Sequence, residues 1–118
     1  MATLQGPVSP DALFAFDSLL DEDELAIRDA VRSFVDRRIR PTVADWYAEG
    51  DIPARELALE LGEMGLLGMH LEGYGCAGRS APAYGLACLA LEAGDSGIRS
   101  PASSQGSLPI HPIPPYGP

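Results

Sequence analysis

Residues 81 to 91, APAYGLACLAL, form an uncharged segment that leaves few choices for the fold. Ser80 precedes it as a good helix N-cap, and the apolar side chains are spread around the whole circumference of a helix. A helix that is apolar all round has to be buried, so the segment predicts a helix over 81–93 inside a bundle. Its interior Gly85 costs about 1 kcal/mol relative to alanine, which a close helix crossing there would offset.

Another helix is predicted to begin at Asp21. Asp21 and Glu24 have the spacing of a capping box, in which each side chain satisfies the other residue's backbone N–H. Apolar residues then fall on one helical stripe, at Ile27, Val31, Phe34 and Val35. Acidic residues fill the first turn and arginines the last, which complements the helix dipole. The pattern predicts an amphipathic helix that ends before Pro41.

Two shorter helices follow before the glycine-rich segment 66–80. Pro41 ends the first helix or opens a short one that stops at Gly50, and Pro53 begins another that stops at Gly65. The apolar face of the latter carries Leu57, Leu61 and Met64. The sequence contains no apolar and polar alternation of useful length, so it predicts an all-α fold, a helical bundle.

The two ends of the chain differ in composition from the middle. Residues 1–20 are expected to be a loose leader, residues 21–100 the helical domain, and residues 101–118 a proline-rich tail. An interior proline costs about 3 kcal/mol of helix stability. The tail is therefore expected to be disordered or non-helical, and a full helix over 101–116 is excluded.

Composition narrows the function classes. The chain has 118 residues and a formal net charge of -9 without a basic stripe, which argues against a nucleic-acid partner. No apolar run approaches the roughly 20 residues that span a bilayer, and the N-terminal residues lack a signal-peptide pattern, so we expect a cytoplasmic protein without a membrane segment. Cys76 and Cys88 are expected as free thiols rather than a disulfide. His70 and His111 lack companions at ligand spacing, so no metal site is predicted.

The segment GYGCAG at 73–78 has the form of a dinucleotide-binding motif, with Glu92 about twenty residues further on. That motif requires a buried strand before the glycines and another after the following helix. Neither strand is predicted here, because MHLE is too short and polar and residues 94–100 are rich in Gly and Ser. The segment is therefore interpreted as a tight loop in which several glycines adopt positive φ.

Charged residues follow the apolar helix within a short distance. Glu92, Asp95 and Arg99 are strung through Gly and Ser directly after it, and ionised groups beside a buried segment are costly unless they are paired. One interpretation is a clasp at the helix end, in which Arg99 pairs with Asp95 or Glu92. The other is one wall of a charged pocket.

The stretch GLLGMHLEGYGCAGRSAPAYGLACLALEAGDSGIRS, preceded by ARELALELGEMG, resembles the N-terminal helical domain of the acyl-CoA dehydrogenase family. Within that family it is most similar to the glutaryl-CoA dehydrogenases. The resemblance covers residues 14–117 and is specific over 57–100. It implies an FAD-dependent enzyme that removes hydrogens from Cα and Cβ of an acyl-CoA thioester, with a carboxylate taking the α-proton and flavin N5 taking the β-hydride.

The same resemblance assigns roles to the charged residues. It implies that Arg99 pairs with the distal carboxylate of the substrate, that Ser100 donates a hydrogen bond to it, and that Glu92 belongs to the same polar end. A guanidinium fork suits this task because it binds a carboxylate through two hydrogen bonds and stays charged when desolvated. No residue here matches the family's catalytic base, and none is assigned to the cofactor.

Two functions from different classes follow. The chain is the amino-terminal part of an acyl-CoA dehydrogenase, which binds acyl-CoA only when the missing domains complete it and which holds no FAD by itself. Alternatively it is a non-enzymatic remnant or a small helical interaction domain. If the chain is such an amino-terminal part, we expect exposed apolar surface that favours self-association or a partner chain, whereas a compact monomer without it would favour an independent domain.

Overall fold

A computed structural model of the chain describes residues 10–73, 75–110 and 112–116. Every regular element among these residues is helical, which confirms the all-α fold. The elements in chain order are α1 (Pro10–Phe14), a 3-10 turn (Phe16–Leu19), α2 (Glu22–Phe34), a π turn (Val35–Ile39), α3 (Val43–Glu49), α4 (Ala54–Glu63), α5 (Ala81–Gly94), α6 (Ser96–Gln105), a second π turn (Gly106–Ile110) and α7 (Ile113–Tyr116).

Helix α2 begins with the predicted capping box. The backbone N–H of Glu24 donates to Asp21 Oδ1 (2.8 Å), and that of Asp21 donates to Glu24 Oε2 (3.1 Å). The apolar stripe continues past the α-helical hydrogen bonds into the π turn, where Val35 and Ile39 are buried. The π turn continues the helical rod of α2. Together the two elements therefore run along α5 as far as its C-terminal end.

Helix α5 packs between α2 and α6, as its apolar composition predicts. Its buried residues are Ala83, Leu86, Ala87, Ala90 and Leu91. Leu89, however, is 59% exposed. The helix is therefore covered on the sides that face α2 and α6, while part of its apolar surface remains open among the described residues.

The close helix crossing on α5 lies at Gly94 and not at Gly85, which corrects the sequence expectation. A Cβ built on Gly85 would meet nothing within 4 Å, whereas one on Gly94 would lie 2.7 Å from Val35 Cγ1. Gly94 is thus the position at which the side chains of the π turn approach the α5 backbone. A glycine's helix propensity alone does not show which glycine a neighbouring helix approaches.

Helix α6 also differs from the sequence expectation. The chain from 95 to 100 turns at a single extended residue, Asp95, and then enters α6, which continues through Pro101 to Gln105. Pro101 removes only one intrahelical N–H, and Ile98 and Ala102, each 2% exposed, hold the helix in the core. The helical segment therefore extends beyond the boundary expected at residue 100.

The predictions for the two ends of the chain involve residues that the structure describes only in part. Residues 10–19 form α1 and the 3-10 turn, with exposed side chains wherever these are described, while residues 1–9 lie outside the described residues. Residues 111, 117 and 118 also lie outside them. The described part of the proline-rich end is helical at Gly106–Ile110 and Ile113–Tyr116, contrary to the expectation of a non-helical tail. A loose leader and a disordered or non-helical end stay predictions for the positions outside the description.

Candidate functional site

Polar side chains line the contact between α5 and α6, and we call this set the polar seam. Its members from α5 are spaced four residues apart and those from α6 are one turn apart, so each set occupies one helix face. The polar seam consists of Tyr84, Cys88 and Glu92 on α5 and Arg99 and Ser103 on α6.

Arg99 is the centre of the polar seam. Its Nε donates to Glu92 Oε2 (2.8 Å) and its Nη1 donates to Ser103 Oγ (2.8 Å). The hydrogen bond with Glu92 raises the pKa of Arg99 further above its ordinary value, so the guanidinium is charged at neutral pH. The side chains of Arg99 and Glu92 are 34% and 47% exposed. A ligand can therefore reach this ion pair without the helices separating.

The structure brings two of the three predicted substrate-binding residues together. Glu92 and Arg99 form an ion pair, whereas Ser100 is exposed and contributes its backbone carbonyl, which accepts a hydrogen bond from Ser103 Oγ (3.1 Å). Asp95, the other partner considered for Arg99, instead accepts the backbone N–H groups of Ile98 and Arg99 through its own carbonyl. The pairing therefore joins α5 to α6 and does not close locally at the turn.

Sequence reasoning missed Tyr84, Cys88 and Ser103. Burial raises the pKa of Tyr84 and that of Cys88, so both are neutral near pH 7. The four-residue spacing of Tyr84, Cys88 and Glu92 was visible on the predicted helix. Ser103 carried no such signal, because the tail was not expected to be helical there.

The polar seam is closed at its Tyr84 end. The ring of His70 lies against that of Tyr84 with centroids 4.3 Å apart. A Cβ on Gly106 would lie 3.0 Å from His70 Cε1 and 3.4 Å from Tyr84 Oη, so only a glycine fits there without displacing these rings. Access is therefore from the end that carries Glu92 and Arg99.

The glycine-rich segment adopts the predicted loop. Gly73, Gly75 and Gly78 all have positive φ, which confirms that interpretation. Part of the loop, Tyr74, lies outside the described residues.

The start of α5 does not suit the pyrophosphate of a flavin. Ser80 Oγ accepts the N–H of Ala83 (3.2 Å) and donates to Glu24 Oε1 (2.8 Å), so the helix already has a cap. Glu24 is only 8% exposed, and its carboxylate would repel a phosphate at this position. The hydrogen-bonding groups at the start of α5 therefore do not fit the pyrophosphate of FAD. Nor does any group of three or more His, Cys, Asp or Glu in the described part of the chain have the arrangement of a metal site.

A groove of about 520 Å³ lies between α2 and α5, with Glu92 on one wall. Arg28 on the opposite wall pairs with Asp17 and Asp29, and Arg40 pairs with Asp36. These arginines are already matched by carboxylates, as Arg99 is by Glu92, so ion pairing alone does not separate the groove from the polar seam as an anion site.

None of the helices in the described ranges is long and apolar enough to cross a membrane.

Comparisons with known proteins agree on one family. The model of the acyl-CoA dehydrogenase N-terminal domain matches residues 21–118. A crystal structure of glutaryl-CoA dehydrogenase from Mycobacterium smegmatis is 65% identical with a TM-score of 0.83, over 87% of this chain and 27% of that one. Another, a glutaryl-CoA dehydrogenase from Mycobacterium smegmatis in complex with FADH2, is 54% identical with a TM-score of 0.86, over 91% of this chain and 28% of that one. The chain thus spans little more than a quarter of their length.

Proposed function

Because this chain belongs to the acyl-CoA dehydrogenase family, whose N-terminal domain it carries, we propose that it forms one wall of the acyl-binding pocket of a flavin-dependent dehydrogenase. The proposed substrate is a dicarboxylic acyl thioester such as glutaryl-CoA. Identities of 65% and 54% to two glutaryl-CoA dehydrogenases support this substrate class. The observation that carries the proposal is the accessible guanidinium of Arg99, held by Glu92 and Ser103.

Arg99 is the residue that receives the distal carboxylate of the substrate. A guanidinium binds a carboxylate through two parallel hydrogen bonds and remains charged when water is excluded. Glu92 balances the charge of Arg99 in the absence of substrate, which avoids burying a lone cation when the missing domains cover the site. Ser100, adjacent and exposed, supplies an additional hydroxyl donor.

The catalytic steps belong to parts of the enzyme that this chain does not contain. Nothing among its residues matches the family's catalytic base, and the start of α5 does not fit a flavin. We therefore expect the purified chain to be colourless and inactive towards acyl-CoA until a longer polypeptide or a partner chain supplies the other domains.

A second candidate function is a helical interaction domain. Several large apolar side chains are exposed among the described residues, including Leu59, Leu89 and Leu108 at 62%, 59% and 72%. Such surface favours contact with another protein, with a second copy of the chain or with the missing domains.

The free thiols of Cys76 and Cys88 support a reducing compartment, and we propose the cytoplasm.

The test uses a chimera in which residues 21–118 replace the matching segment of the 65% identical Mycobacterium smegmatis enzyme. Arg99→Ala is expected to lower kcat/KM for glutaryl-CoA roughly 30-fold or more, because a buried carboxylate loses its charged partner. Pentanoyl-CoA, which has equal length and no distal charge, should lose little. Arg99→Lys should recover part of the difference, since an ammonium lacks the planar fork.

Arg55→Ala is the matched control, because Arg55 is an exposed arginine on α4 that is not a member of the polar seam. It should leave both substrates unchanged. Equal losses on the two substrates in Arg99→Ala would show that Arg99 is a structural clasp, and the proposed pocket would be wrong.

A further inference from the structure

The hydroxyl of Ser103 makes two hydrogen bonds that together fix its direction. It donates its single hydrogen to the backbone carbonyl of Ser100 (3.1 Å) and accepts from Arg99 Nη1 (2.8 Å). A hydroxyl has one hydrogen and two lone pairs. Since the hydrogen points to the backbone of α6, a lone pair points towards the guanidinium.

Arg99 is therefore held from two helices at two different nitrogens. Glu92 on α5 accepts from Nε, and Ser103 on α6 accepts from Nη1. Two anchors on a planar group set both its position and the orientation of its plane. Within the described residues Nη2 makes no hydrogen bond, so the end of the fork that carries it is available to a ligand.

We propose that Ser103 is a positioning residue for Arg99 and a determinant of specificity for dicarboxylic substrates. This inference rests on the proposed function of Arg99. Ser103 acts on the substrate only through Arg99, by holding the guanidinium so that its Nη2 end faces the distal carboxylate. A free arginine side chain has many rotamers, and anchoring it beforehand lowers the entropic cost of binding.

The neighbouring polar groups do not replace Ser103. Tyr84 and Cys88 also lie near Arg99, but the hydrogen bonds of Arg99 in the described part of the chain go to Glu92 and Ser103. Burial raises the pKa of Tyr84 and that of Cys88. Without the Ser103 hydroxyl, only the Glu92 contact would remain, and the guanidinium could rotate about it. The expected consequence is weaker binding of the dicarboxylic substrate without loss of the chemical step.

A purely structural role for Ser103 makes a different prediction. Its hydrogen bond to the Ser100 carbonyl is local to α6, and such bonds occur in helices without any function. If that bond were the whole role, removal of the hydroxyl would affect every substrate equally. Ser104 provides the matched control, because it is the next residue on the same helix and its side chain makes no hydrogen bond to the described residues.

The experiment measures KM and kcat of the same chimera with glutaryl-CoA and pentanoyl-CoA. Ser103→Ala is expected to raise KM for glutaryl-CoA about tenfold, the value of one hydrogen bond to a charged group, with kcat nearly unchanged. Pentanoyl-CoA and the Ser104→Ala variant should change less than twofold. Ser103→Thr should restore the glutaryl-CoA KM, because a helical threonine hydroxyl can make the same bond to a preceding carbonyl.

The double variant Arg99→Ala/Ser103→Ala separates the two proposals. It should be no worse than Arg99→Ala alone, since Ser103 acts through Arg99. If Arg99→Ala discriminates the substrates but Ser103→Ala changes neither or both equally, only the role of Ser103 is wrong. Failure of Arg99→Ala to discriminate would refute the proposed function, and the role of Ser103 with it.

Discussion

Helix α5 makes two contacts that differ in composition. Towards α2 it is fixed near both ends, by the Ser80–Glu24 hydrogen bond and by the approach of Val35 to Gly94. Towards α6 it shares the buried core with Ile98 and Ala102 and also presents the polar seam, where Glu92 and Arg99 are half-exposed. The α2 contact is buried, whereas the polar seam leaves an ion pair half-exposed, where the proposed ligand could reach it.

The energies of the two contacts differ for physical reasons. Buried apolar contacts stabilise in proportion to the area removed from water, and a core side chain is worth several kcal/mol. A half-exposed ion pair is worth about 0 to 1 kcal/mol, because water and salt screen it. Substitutions inside the bundle should therefore change stability, and substitutions at the Glu92–Arg99 pair should change ligand binding.

The largest expected effect comes from removing a buried side chain of α5. Leu91 is 1% exposed, and Leu91→Ala should lower the free energy of unfolding by about 2 to 5 kcal/mol, because it leaves a cavity. Urea unfolding of the two variants and the parent chain measures this. Leu89→Ala, on the same helix but at a side chain 59% exposed, should cost far less, and equal losses would mean that α5 is not buried as described.

A smaller effect is expected at the crossing with α2. Gly94→Ala should destabilise by about 1 to 3 kcal/mol, because the new Cβ would lie 2.7 Å from Val35 Cγ1. Gly85→Ala has open space and should stabilise by about 0.5 to 1 kcal/mol through helix propensity. Opposite signs in thermal unfolding would support the assignment of the crossing to Gly94, and a stabilising Gly94→Ala would refute it.

Much of this fold followed from local patterns. The capping box of Asp21 and Glu24 and the uncharged segment of α5 predicted their helices, because each local preference agrees with the tertiary contact made there. Helix α6 was not predicted, since the penalty assigned to Pro101 ignored the burial of Ile98 and Ala102. The position of the close crossing depends on how two helices meet, which local propensity does not determine.

The candidate site was predictable only in part. Glu92 and Arg99 stood out as charges beside an apolar helix, and a resemblance to a known family gave them a role. Their pairing across α5 and α6, and the contact of Ser103 with Arg99, depend on α6 being a helix. Because the sequence did not predict that helix, the four-residue spacing of Arg99 and Ser103 did not indicate that the two residues share a helix face.

The most direct test of the contrast between the two contacts is a double-mutant cycle on the unfolding free energy of the chain, with Glu92→Ala, Arg99→Ala and both together. We expect the coupling between the two residues to be below about 1 kcal/mol, as for a half-exposed ion pair. A coupling of about 3 kcal/mol or more is the magnitude of a buried structural pair. That result would contradict the account, because Glu92 and Arg99 would then hold α5 and α6 together rather than await a ligand.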